Sequence, residues 1–73
     1  MEEIFIKTEF IKLDQLLKYS GIAQTGSDAK LFISEGLVFV DEEVENRRGR
    51  KIYDGMKVTV NLDEEISILV KKR

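Results

Sequence analysis

The chain contains no cysteine, no histidine, no tryptophan and no proline. Each of the first two absences removes a class of chemistry. Without cysteine there is no disulfide framework, no thiolate zinc site and no nucleophilic thiol. Without histidine the commonest general base and the commonest transition-metal ligand are gone. No run of about 20 apolar residues is present, so no segment reads as a membrane-spanning helix. Met1-Glu2-Glu3 is acidic where a signal peptide would be basic. A soluble, cytoplasmic protein without cofactor or metal is the expectation. At 73 residues, one domain is all the length allows. A domain of that size buries only about 60% of its unfolded surface.

What is present is a mix of 42% apolar and 36% charged residues, which is the balance of a soluble globular domain. The net charge of −2 argues, as a sum, against a nucleic-acid partner. The distribution argues otherwise. Asp41, Glu42, Glu43 and Glu45 are followed directly by Arg47, Arg48, Arg50 and Lys51, and the chain closes on Lys71-Lys72-Arg73. Charge segregated in this way makes a dipolar surface, one side of which attracts anions.

Residues 3–7 read as a first strand, with Ile4, Phe5 and Ile6 covered on both faces. Lys12 to Ser20 reads as a helix. Leu13, Leu16 and Leu17 fall on a buried stripe, while Lys12, Gln15, Lys18 and Tyr19 share the polar face. Gly21 fits the stop. Ser27 fits the N-cap of a second helix that runs to about Glu35, with Ala29, Phe32 and Ile33 inward and Gly36 at the left-handed end. Strands follow at 37–40, 43–45, 56–62 and 66–70, and Lys71-Lys72-Arg73 reads as a frayed tail. The predicted class is α+β: two helices packed on a small, mainly antiparallel sheet, in the order β-α-α-β-β-β-β.

A spaced pattern runs through these elements. Lys12-Leu13-Asp14 and Leu16-Leu17 lead to Gly21, then to Ser27-Asp28-Ala29-Lys30. Ile33, Gly36, Val38 and Val40 come next, and later Ile52, Gly55 and Val58. Over residues 11–60 this resembles the S-four RNA-binding domain, also called the αL motif. Gln24-Thr25-Gly26 and the segment from Asn46 to Lys51 are similar to the YaaA-like stand-alone bacterial members. The resemblance implies an αL motif with added edge strands in a single domain over 1–73. It implies a monomer that binds structured RNA, ribosomal or transfer RNA, without catalysis. Ribosome assembly or translation would be the setting and ribosomal particles a further partner. It places RNA contacts at Lys12, at Ser27, at Lys30 and along Arg47, Arg48, Arg50 and Lys51.

The chain departs from the family pattern at several points. Lys12 stands for an arginine, which keeps the point charge and loses the bidentate fork. Leu31 occupies a position that is often basic, and Gly55-Met56 stands where Gly-Asp is common. Asp41-Glu42 replaces Asn-Gly, a poor pair for a type I′ turn, so a wider four-residue turn is expected.

Each candidate has a plain counterpart. The arginines suit phosphate forks and base stacking, and Gly49 lets a ligand approach the backbone. Alternatively, the acids at 41–45 neutralise them across a hairpin. Thr25, Gly26 and Ser27 open a helix whose free N–H groups suit a phosphate; equally, Ser27 is an ordinary cap. Lys12, Gln15, Lys18 and Lys30 are either contacts or solvated surface, and Tyr19 either stacks on a base or covers the domain edge. Leu31 reads as a partly covered rim residue. Replacing Arg47, Arg48 and Arg50 by alanine is expected to remove RNA affinity with little change in melting temperature. No catalytic constellation and no phosphate-binding glycine loop is present, so an enzyme is not expected. The competing reading is a protein-interaction adaptor of the same fold without RNA, motivated by the net charge and Leu31.

Overall fold

The computed structural model describes residues 1–73. The elements are β1 (Glu2–Ile6), β2 (Phe10–Lys12), α1 (Leu13–Tyr19), α2 (Gly26–Ser34), β3 (Val38–Val40), β4 (Glu43–Val44), β5 (Lys51–Tyr53), β6 (Lys57–Asn61) and β7 (Glu65–Lys72). Five strands form one sheet in the order β1-β7-β6-β3-β4, and β2 and β5 form a separate two-stranded ribbon. Only the β1–β7 pairing is parallel; every other ladder is antiparallel. The expected α+β class stands, with two strands more than the pattern showed. β2 and β5 are three residues each, too short for alternation to register against the background of loops.

The helices lie on the sheet through a continuous apolar core. Leu13, Leu16 and Leu17 of α1 meet Ala29 and Ile33 of α2 and Val38, Val40, Val58, Val60, Ile68 and Val70 of the sheet. Ile52 of β5 is fully buried in the same cluster. At the end of α2, Leu37 N–H donates to Phe32 C=O and Gly36 N–H to Ile33 C=O. Gly36 takes φ 76° to close this turn. These two bonds are the Schellman arrangement, and only a residue tolerant of positive φ completes it cheaply.

Three boundaries differ from the sequence reading. β1 is an edge strand, so Ile6 is buried while Phe5 stays 41% exposed, and only one face is covered. Lys71-Lys72-Arg73 is not frayed. Lys71 and Lys72 pair with Phe5 and Ile6, and Arg73 N–H donates to Ile6 C=O at 2.8 Å. The parallel partner strand, distant in sequence, supplies that order.

The third difference is the β3–β4 turn. Val40 pairs with Glu43, which leaves Asp41 and Glu42 as a two-residue loop. Both take positive φ, 49° and 77°, as a type I′ turn requires. Glu42 stands where such a turn prefers glycine; Lys57 at the start of β6 holds the turn. Asp41 N–H donates to Lys57 C=O at 2.8 Å, and Lys57 N–H donates to the Asp41 carboxylate at 2.9 Å. The Lys57 ammonium also pairs with Glu42. Left-handed backbone costs about 1 kcal/mol at a non-glycine residue, whereas an exposed ion pair contributes little. Glu42→Gly is therefore expected to raise the melting temperature by about 4–8 °C. A calorimetric scan that shows no rise would mean Glu42 is not strained.

Candidate nucleic-acid interface

The segment 45–50 connects β4 to β5 and folds against the start of α1. Arg50 N–H donates to Arg47 C=O at 3.2 Å, closing a turn around Arg48-Gly49. The carbonyls of this loop then point at the helix. Arg50 C=O accepts from Leu13 N–H at 2.8 Å, and Arg48 C=O accepts from Asp14 N–H at 3.0 Å. Lys12, the N-cap of α1, makes no side-chain cap of its own. The first N–H groups of a helix have no intrahelical partner and need one. Here the arginine loop is that partner. With its carbonyls committed inward, the loop leaves Arg47 and Arg48 exposed and Arg50 half-buried.

Glu45 anchors the loop from beneath. It is 6% exposed and sits at the foot of two guanidinium groups. Arg47 donates to it through Nε at 2.9 Å, Nη2 at 3.0 Å and its backbone N–H at 3.0 Å. Arg50 donates through Nη1 at 2.6 Å. The Arg47 hydrogen bonds, followed by those of Arg50 and by the Arg47 charge, lower the Glu45 pKa to about 2 against the opposing effect of its burial. The same contact raises Arg47 above its ordinary value.

An unfolded glutamate titrates near 4.3. Because the folded value lies below it, this contribution to stability is complete above about pH 4.5 and fades as pH falls toward 2. Glu45→Gln is expected to flatten the fall of melting temperature between pH 5 and pH 2. Parallel acid profiles for both proteins would remove Glu45 from that role.

Acid neutralisation of the loop is thus only partial. Of the four acids at 41–45, Glu45 alone bonds to the arginines, while Asp41 and Glu42 engage Lys57. Four cations against one paired carboxylate leave a surplus of three positive charges. Each guanidinium carries five N–H donors. Glu45 takes two side-chain donors from Arg47 and one from Arg50, and Arg48 has no side-chain partner.

This arrangement corrects one expectation. Alanine at Arg47 and Arg50 cannot leave the fold untouched, because it strips a buried carboxylate of both its guanidinium partners.

The sequence-predicted residues fall into two groups. Lys12 lies opposite Lys51 in the β2–β5 register, so both share one face of the ribbon beside the arginine loop. Gln15 is exposed in the first turn of α1. Thr25, Gly26, Ser27 and Lys30 are exposed on α2. No hydrogen bond or ion pair joins these four to the arginine loop.

The cap of α2 is Thr25, not Ser27. Thr25 is extended, with φ −135° and ψ 165°, and its Oγ1 accepts from Asp28 N–H at 3.1 Å. Thr25 with Asp28 has the three-residue spacing of a capping box, so the helix starts two positions early and Ser27 lies inside its first turn. Lys18 and Leu31 are exposed; Leu31, at 52%, is more open than a rim residue. Tyr19 lies over the β1 edge, where its hydroxyl reaches Phe5 C=O at 3.5 Å.

Three residues escaped the sequence reading. Glu45 looked like one acid among four, and nothing in a charge run marks the buried one. Phe10 and Tyr53 face each other across the β2–β5 ribbon, with ring centroids 5.7 Å apart. The only signal was a pair of three-residue alternations, Phe-Ile-Lys and Lys-Ile-Tyr.

Comparison with known proteins shows the family of the chain. Residues 4–69 match the family model of the S4 domain. The "Probable ribosome maturation protein RlbA" of Bacillus subtilis (strain 168) is 49% identical over 57 residues, covering 78% of this chain and 80% of that protein. The "Putative RNA-binding protein YbcJ" of Escherichia coli (strain K12) is 42% identical over 53 residues, covering 73% and 76%. The solution structure of YbcJ from E. coli, described as an αL motif involved in RNA-binding, superposes with a TM-score of 0.68 at 33% identity. That superposition covers 94% of this chain and 87% of the other. With the family pattern matched across nearly its whole length, the chain belongs to the S4 domain family.

Proposed function

We propose that this protein binds structured RNA, ribosomal or transfer RNA, without catalysing a reaction, and that it serves ribosome assembly or translation. The observation that carries the reading is the arginine loop. Its backbone is consumed in capping α1, its anchor is one buried glutamate, and its remaining charge faces solvent. Lys12, Gln15 and Lys51 extend that face, and Thr25, Gly26, Ser27 and Lys30 supply a helix opening with free N–H groups for a phosphate. The names borne by the two relatives, one for ribosome maturation and one for RNA binding, support the same reading. Residues 11–60 would form the RNA-binding core and the remainder its supporting edge.

Affinity that comes from phosphates follows counterion release. With about five phosphate contacts, log Kd against log salt should have a slope of magnitude near 4. Binding to a labelled hairpin RNA should then weaken by about two to three decades between roughly 50 and 200 mM salt. A salt-independent anisotropy titration would remove this reading. Exposed Leu31 favours the adaptor alternative; Leu31→Glu would then abolish recovery of a protein partner while RNA binding stayed at background.

A further inference from the structure

The outward face of the β2–β5 ribbon carries side chains that neither the core nor the helix cap uses. Register sets that face. Ile11 pairs with Ile52, and Ile52 is fully buried, so the alternate pairs Phe10–Tyr53 and Lys12–Lys51 lie on the opposite side. Tyr53 is 45% exposed and packs against Phe10. The Lys51 ammonium sits 4.8 Å from the Phe10 ring centre.

Beside this face opens a recess of about 520 Å³ lined by Arg47, Gly49, Arg50, Lys51, Tyr53 and Met56. Three of the lining residues are cationic and none is acidic. A Cβ built on Gly49 would meet nothing within 4 Å, so the recess is open on the backbone side. The acids adjacent in sequence, Glu9 and Asp54, are both engaged by Lys72: its ammonium pairs with Glu9, and its N–H donates to Asp54 at 2.7 Å.

An aromatic ring at the mouth of a cationic recess offers a π-face and phosphate partners together. That combination suits a single unpaired nucleotide, because a base inside a helix has no free face to stack. Resting on the RNA-binding reading above, we infer that an unpaired nucleobase of the bound RNA stacks on Tyr53, with its flanking phosphates held by Arg47 and Lys51. The RNA class selected is a stem interrupted by a bulge or loop, in preference to a continuous duplex.

Two hairpin RNAs of the same length and charge test this, one with a bulged nucleotide in its stem and one fully paired there. Tyr53→Leu should weaken the bulged RNA by about 5- to 150-fold, the range for unstacking one base from an aromatic ring. It should leave the paired RNA within about twofold, and Tyr53→Phe should restore the wild-type preference. A second readout does not depend on how Tyr53→Leu folds. The chain has two tyrosines and no tryptophan, so Tyr19→Phe leaves Tyr53 as the sole source of tyrosine emission. Its emission should be quenched by the bulged RNA more than by the paired one at equal occupancy.

Salt-dependent binding of both RNAs with equal affinity and equal quenching would overturn the stacking inference and leave the RNA reading intact. Binding of neither RNA by the wild-type protein at about 50 mM salt would overturn both.

Discussion

Replacing Arg47, Arg48 and Arg50 together by alanine is expected to lower affinity for structured RNA by about two to three decades at low salt. It should also reduce the slope of log Kd against log salt by about 2 to 3, one step for each phosphate that no longer meets a guanidinium. The structure adds a second consequence. Arg47 and Arg50 supply the guanidinium partners of a glutamate that is 6% exposed, and their removal leaves that carboxylate with only the backbone N–H of residue 47. Losing the charged partners of such a group costs about 1–3 kcal/mol, which in a domain this small is a fall of about 5–20 °C in melting temperature.

Two further variants separate the effects. Arg48 has no side-chain partner, and alanine there keeps the backbone carbonyl that caps α1. Arg48→Ala should therefore lose RNA affinity by about tenfold with an unchanged melting temperature. Adding Glu45→Gln to the triple variant should recover part of the lost stability and none of the affinity. A triple variant that binds RNA like the wild type would place the interface elsewhere on the molecule.

Ile52→Ala is expected to be the most damaging single truncation beside the arginine loop, although its side chain is turned wholly into the core. Ile52 is fully buried and is the inward residue of β5, facing Ile11 of β2. Truncating a buried isoleucine costs about 2–5 kcal/mol. A domain of this length has only about 4–11 kcal/mol in total. The melting temperature should fall by roughly 10 °C or more.

The loss should be uneven. The β2–β5 ribbon has a single short ladder, and its anchor is this side chain. Backbone amides in Phe10–Lys12 and Lys51–Tyr53 should lose hydrogen-exchange protection before those of β6 and β7. RNA affinity should weaken with it, because Lys12, Lys51 and the arginine loop are held by the same ribbon. A protein that melts within about two degrees of the wild type would show that the ribbon is not anchored through Ile52.

Both results turn on features of very different visibility. The helices were legible because their apolar positions recur at helical spacing and glycines stand at their ends. Leu13, Leu16, Leu17, Ala29 and Ile33 are all buried as that spacing requires. The long strands were legible through alternation: Val58, Val60, Ile68 and Val70 are fully buried. The short strands were not, because three residues carry too little periodicity to tell a strand from a loop. Local preference alone argues against the tight turn that forms at Asp41-Glu42. Lys57, sixteen positions away from Asp41, supplies the bonds that override that preference.

The candidate interface divides along the same line. A cluster of Arg47, Arg48, Arg50 and Lys51 is a one-dimensional fact, as is the glycine inside it. Which acid answers it is not. Glu45 bonds to the arginines because Glu45 N–H is fixed to Val38 C=O at 2.9 Å and the loop closes above it; Asp41 and Glu42 turn to Lys57 instead.

Composition and periodicity by themselves determined that this protein is an α+β domain with a basic loop and no means of covalent or metal catalysis through cysteine or histidine. Those conclusions need only the kinds and spacing of side chains, since burial follows period and chemistry follows the functional group. Tertiary structure decided which carboxylate holds the arginines, that the loop caps α1, and that Tyr53 stands beside it. The cap joins segments far apart in the chain and the other two turn on how one short loop closes, and the energy of all three depends on distance and burial, which no local pattern encodes.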